Sequence, residues 1–73
     1  MTQNEVVRIQ DYLRSKFNVP QLSVVMRNTK DDSAEVMIGE EFIGVVFKDD
    51  EDDEVSYDFH MAIMEMDLPP SRN

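Results

Sequence analysis

Apolar and polar positions alternate with a period of two over most of residues 22–63, and one stretch near the N-terminus repeats instead with a period near 3.6. The alternation is clearest between Ala34 and Lys48. Ala34, Val36 and Ile38 alternate with Glu35 and Met37, and after Gly39-Glu40 the same alternation resumes at Ile43, Val45 and Phe47. A type II′ turn needs glycine at its first central position, because that residue takes φ > 0. Gly39-Glu40 therefore predicts a two-residue hairpin turn pairing Val36 with Ile43 and Ala34 with Val45. A three-residue loop, residues 39–41, would turn Phe42 and Val46 to that face and expel Ile43, Val45 and Phe47. The two-residue turn keeps the more apolar set together; a turn at Glu40-Glu41 has the same parity and leaves the register open.

The helical stretch begins at Thr2-Gln-Asn-Glu5, whose spacing is that of a capping box. Val6, Ile9, Leu13 and Phe17 then form a narrow apolar stripe over about four turns. Val7 and Tyr12 flank or leave that stripe and are the first helix residues to consider for contact with a partner, the favoured alternative being that Tyr12 simply lies along the sheet edge. Asn18 suits a left-handed C-terminal cap, and Val19-Pro20 ends the helix. Leu22, Val24 and Met26 follow as a first strand. Closing it through Asn28-Thr-Lys-Asp-Asp32 sets Met26 against Ala34, Val24 against Val36 and Leu22 against Ile38, so the apolar faces agree.

On the C-terminal side, Val55, Tyr57 and Phe59 alternate with Ser56, Asp58 and His60. Pairing back through the acidic loop predicts Phe47 against Val55, Val45 against Tyr57 and Ile43 against Phe59. Met61 and Ile63 continue the odd-numbered set, but Met64, Met66 and Leu68 shift phase, which predicts a long last strand bent near Ile63. The alternative is a short helix between His60 and Leu68. Pro69-Pro70 ends the element, leaving residues 69–73 as a frayed tail. The predicted fold is a single α+β domain over residues 1–73, an N-terminal helix packed on one face of a four-stranded antiparallel β-meander.

Composition narrows the chemistry. The chain has 73 residues, no cysteine and one histidine, which removes disulfides, thiolate catalysis and cysteine metal sites. A domain this short buries only roughly 60% of its unfolded surface, so association with a second copy is the obvious source of further burial. No apolar run suggests a membrane span or a signal peptide, and the expected location is cytoplasmic. The net charge of −9 divides unevenly, with +3 in residues 1–30 and −12 in residues 31–73. Such a balance repels phosphate backbones and disfavours nucleic acid as a partner.

Three apparent chemical motifs fail on geometry. Ser56, Asp58 and His60 share one strand face, but residues two apart on a strand are separated by roughly 6.5–7 Å, with aspartate in the middle. A triad needs the histidine beside the serine. Asp49, Asp50, Glu51, Asp52, Asp53 and Glu54 resemble a cation-binding run, yet neither EF-hand frame finds glycine at its sixth position or glutamate at its twelfth. Gly39 and Gly44 lack phosphate-loop spacing; Gly44 instead suits close packing of a neighbouring aromatic. No catalytic residue, metal ligand or cofactor site is therefore expected, and a non-enzymatic module is.

Two surfaces stand out as partner-binding candidates. Met37, Phe42 and Val46 are expected on the outer sheet face, ringed by Glu35, Lys48 and Ser56. Met64, Met66 and Leu68 are expected on the unpaired half of the last strand. The partner would be a protein, with a homo-oligomer favoured. The alternative function is an acidic regulator that docks its residue 49–54 loop on a basic protein surface in the manner of a nucleic-acid mimic.

The segments Ser33-Ala-Glu-Val-Met-Ile-Gly-Glu-Glu-Phe-Ile-Gly-Val-Val-Phe-Lys-Asp49 and Val55-Ser-Tyr-Asp-Phe-His-Met-Ala-Ile63, with Arg8-Ile-Gln-Asp-Tyr-Leu-Arg14, resemble a small family of uncharacterised alphaproteobacterial proteins over nearly the whole chain. The resemblance implies a bacterial cytoplasmic setting and carries no activity or catalytic residue with it.

Overall fold

The computed structural model describes residues 1–27, 31–51 and 53–72. Residues 28–30 of the first expected hairpin loop, Asp52 of the acidic run and Asn73 of the tail lie outside the described residues. The elements run α1 (Gln3–Phe17), β1 (Leu22–Met26), β2 (Ser33–Ile38), β3 (Glu41–Asp49), β4 (Ser56–His60) and a 3-10 turn at Glu65–Asp67. The four strands form one antiparallel sheet in the order β1-β2-β3-β4, the predicted meander.

Helix α1 starts where the capping box places it. The Glu5 N–H donates to the Thr2 hydroxyl at 3.1 Å, and the Thr2 N–H donates to the Glu5 carboxylate at 2.9 Å. It ends at Asn18, whose φ of 56° and ψ of 46° are left-handed. Val6, Ile9 and Leu13 are buried, whereas Phe17 at the helix end is half exposed and outside the core. The stripe thus stops one turn short of its predicted length, because the helix ends at the Asn18 cap with Phe17 in its last turn.

The β1–β2 register is the predicted one, Leu22 with Ile38, Val24 with Val36 and Met26 with Ala34. The central hairpin differs. Its turn is indeed Gly39-Glu40, with Gly39 at φ 62°, but the ladder shifts between Val36 and Met37. Met37 pairs with Phe42 and Val36 with Gly44, leaving Ile43 as the extra residue of a bulge. Beyond the bulge every side chain of β3 changes face relative to the prediction. Gly44 and Val46 turn inward, and Val46 is only 2% exposed. Val45 and Phe47 go to the outer face. Alternation could not decide this, because Val45-Val46 offers a β-branched residue to either side.

The β3–β4 register moves with it, to Val46 against Phe59 and Lys48 against Tyr57. A Cβ on Gly44 would meet the Phe59 ring at 2.6 Å and collide with the His60 carbonyl oxygen. The missing side chain is what lets β4 lie close, as expected of this glycine. The core is one cluster, Val6, Ile9 and Leu13 of α1 over Leu22, Val24, Ala34, Val36 and Val46, with Ile43 and Phe59 packed at its margin.

The long bent last strand does not form. β4 ends at His60, and residues 61–64 run without regular structure into the short 3-10 turn. Neither does the alternative helix span residues 60–68; it is reduced to Glu65–Asp67. Residues 61–68 are exposed throughout, and the overall extents are 47 × 25 × 23 Å.

Candidate functional site

The two margins of the sheet are built differently. β1 lies under α1, and helix side chains satisfy its outer backbone: the Val24 N–H donates to Gln10 Oε1 at 3.1 Å, and Arg14 Nε donates to the Leu22 carbonyl at 2.6 Å. A strand margin occupied in this way is unable to template another chain. On β4, Ser56, Tyr57, Asp58 and His60 are exposed and Phe59 is half-buried. Among the described residues, β4 pairs with β3 on one side and with no strand on the other.

Beside β4 runs an open groove of about 420 Å³ between α1 and the sheet. Ile9, Tyr12 and Leu13 form one wall and Val46, Tyr57 and Phe59 the other, with Glu5 and Arg8 at the rim. Tyr12 is 61% exposed, so it borders this groove rather than contributing to the core. Val7 is exposed on the same helix.

One wall is held by an ionic cluster that sequence reasoning missed. Because of the bulge, Lys48 points inward to the helix, not outward beside Met37 as expected. Its ammonium lies 2.9 Å from the Glu5 carboxylate, which also accepts the Tyr57 hydroxyl at 2.5 Å. Glu5 therefore closes the capping box and ties α1 to β3 and β4. The Tyr57 hydrogen bond, the Thr2 N–H and Lys48 together lower its carboxyl from the usual 4.5 to about 2. The same contact, reinforced by desolvation, raises the Tyr57 phenol, and Glu5 raises Lys48. Only Glu5's place in the capping box was readable in advance; no local pattern links residues 5, 48 and 57.

The expected surfaces are partly assembled. Met37 and Phe42 are cross-strand partners on the outer face. Val46 is not with them, being buried under α1; Val45 and Phe47 occupy that face instead. The His60 ring meets Phe47 edge-on at 5.3 Å. Met64, Met66 and Leu68 are all exposed, Met66 to 86%, but they belong to the segment after β4 and its 3-10 turn rather than to a strand. Met61, Ile63 and Met64 border a second groove, shared with Phe42, Ile43 and Val45.

The described acidic residues of the 49–54 loop, Asp49, Asp50, Glu51, Asp53 and Glu54, are exposed. The Asp49 carboxylate accepts the Glu51 N–H at 3.2 Å, a local turn contact. No group of three or more potential metal ligands converges among the described residues. Within them no helix is long and apolar enough to cross a membrane.

Residues 5–67 match the family model described as "Protein of unknown function (DUF3126)". The chain belongs to that family. The matched span starts at Glu5 and includes every strand and the 3-10 turn, so the ionic cluster and the open β4 margin both fall within it. Among curated proteins and among solved structures, nothing matches the chain.

Proposed function

We propose that this DUF3126 chain is a non-enzymatic protein-interaction module that associates with a second copy of itself through β4 and the groove beside it. The observation that carries the reading is the contrast between the two sheet margins, one occupied by Gln10 and Arg14 and the other bare beside an apolar groove. Surface area supports it. A folded monomer of 8.5 kDa exposes about 4,700 Å², whereas this chain exposes 6066 Å². The excess, on the order of 1,400 Å², includes the exposed residues 61–68 as well as β4 and exceeds the roughly 800 Å² each partner contributes to a standard interface. The bacterial cytoplasm is the setting proposed with it, on the family resemblance alone.

Sedimentation equilibrium tests the reading, with a dimer expected at micromolar concentration. Met61→Lys, at an exposed position next to the strand end, should shift the mass toward the monomer without changing the circular dichroism of the fold. A strict monomer at high concentration would overturn the proposal.

A further inference from the structure

The residues bordering the bare margin carry a pattern that the monomer leaves unused. Val55, Tyr57, Phe59, Met61 and Ile63 alternate with Ser56, Asp58, His60 and Ala62 over nine positions, yet only Ser56–His60 pairs as a strand. Outside that pairing, Val55, Met61 and Ile63 are 54%, 53% and 68% exposed. Apolar alternation beyond the paired length is a cost in water with no return inside one chain.

We infer that two copies pair β4 against β4 antiparallel about a two-fold axis through Phe59, extending the strand to residues 55–63 in both. The inference rests on the self-association proposed above and specifies its register. In an antiparallel pair, directly opposite residues share a face, and a two-fold axis through residue n sets n − k opposite n + k. An axis at Phe59 matches Val55 with Ile63 and Tyr57 with Met61 of the second copy, with Phe59 beside its own counterpart. On the other face Ser56 meets Ala62, and Asp58 meets His60, twice by symmetry. The imidazole then has a carboxylate to which it can donate.

The neighbouring registers are worse: an axis at His60 sets Val55 opposite Glu65 and gives up both Asp58–His60 pairs. An axis at Asp58 sets two carboxylates directly opposite each other, which is destabilising. An axis at Tyr57 draws the acidic loop into the ladder, with Asp53 opposite Met61, and leaves Ile63 without an apolar partner. Because the axis stands perpendicular to the sheet, both α1 helices lie on one side. The two grooves then meet, with Tyr57 and Phe59 of each copy forming a common floor. The paired margin leaves only the occupied β1 margins at the two ends, so assembly closes at two copies.

Single cysteines read the register directly, since the natural chain has none. Opposite residues in an antiparallel pair have Cα atoms about 4.5–5.5 Å apart, inside the range a disulfide bridges, and diagonal neighbours at roughly 7–8 Å fall outside it. An equal mixture of Asp58→Cys and His60→Cys chains, under mild oxidant, should give covalent dimer of one variant with the other, and either variant alone none. Ser56→Cys with Ala62→Cys repeats the test should the first pair fail to fold by circular dichroism. Self-crosslinking of Asp58→Cys alone, or of Ser56→Cys with Asp58→Cys, in a chain that still sediments as a dimer would overturn this register and leave self-association standing. A monomer by sedimentation, with no crosslink in any mixture, would overturn both.

Discussion

The first and last strands of this sheet have similar length and opposite fates. β1 alternates Leu22 and Val24 into the core, and its outer backbone is taken up by Gln10 and Arg14. β4 alternates Tyr57 and Phe59 toward the same side, yet Tyr57 remains 37% exposed and no strand pairs along the outer margin among the described residues. The helix makes the difference. Fifteen residues of α1 cover β1 and reach across to Val46, but at β4 the helix leaves an open groove bridged by the Glu5–Tyr57 hydrogen bond. A small domain with one helix can dry only part of a four-stranded face, and the uncovered part is where a second chain has most to gain.

The covered side of the sheet is the more sensitive to substitution. Leu22 is 1% exposed beneath α1, so Leu22→Ala should cost about 2–5 kcal/mol, enough to unfold much of a domain this small; urea denaturation followed by circular dichroism measures it. Next in size is Gly44→Ala, whose methyl group would collide with the Phe59 ring and the His60 carbonyl. Overpacking of this kind costs about 1–3 kcal/mol. Since it displaces β4, dimer mass in sedimentation should fall together with thermal stability; a fully stable dimeric Gly44→Ala would show that β4 is not seated by this contact.

Lowering pH loosens the tie between α1 and β4. Glu5 has a folded pKa of about 2, below its ordinary 4.5. Its contribution is therefore complete above about pH 4.5 and is lost as pH falls toward 2. Lys48 and Tyr57 are raised in the fold, so their contributions are present below their ordinary values and disappear as pH climbs through the folded ones. Acid titration of thermal stability should accordingly show a loss in that acidic window which Glu5→Gln reduces. The mildest change, Gln10→Ala with Arg14→Ala, should barely alter the fold but uncover the β1 margin. With both margins open, sedimentation should detect species larger than a dimer.

What could be read in advance was local. The capping box at Thr2 and Glu5, the left-handed cap at Asn18, the Gly39 turn and the β1–β2 register each follow from residues within a hairpin or a helical turn of one another. The β2–β3 bulge did not, because Val45 and Val46 satisfy either face equally. That ambiguity misplaced Val46 on the outer surface and Lys48 away from the helix. The candidate surface was legible only in part: Met37 and Phe42 lie where alternation puts them, while the segment after His60 was mistaken for a longer strand.

Taken alone, the amino-acid order determined which segments are helical or extended, where the helix and the first hairpin stop, and that the strands follow one another as a meander. These depend on dihedral preferences and short-range periodicity, which act between neighbours along the chain. The three-dimensional arrangement decided which face of β3 is dry, which margin of the sheet is occupied, and that Glu5 holds Lys48 and Tyr57. Those outcomes required choosing between arrangements of nearly equal local quality. The choice was made by the fit of Phe59 over Gly44 and by the reach of a helix too short to cover four strands.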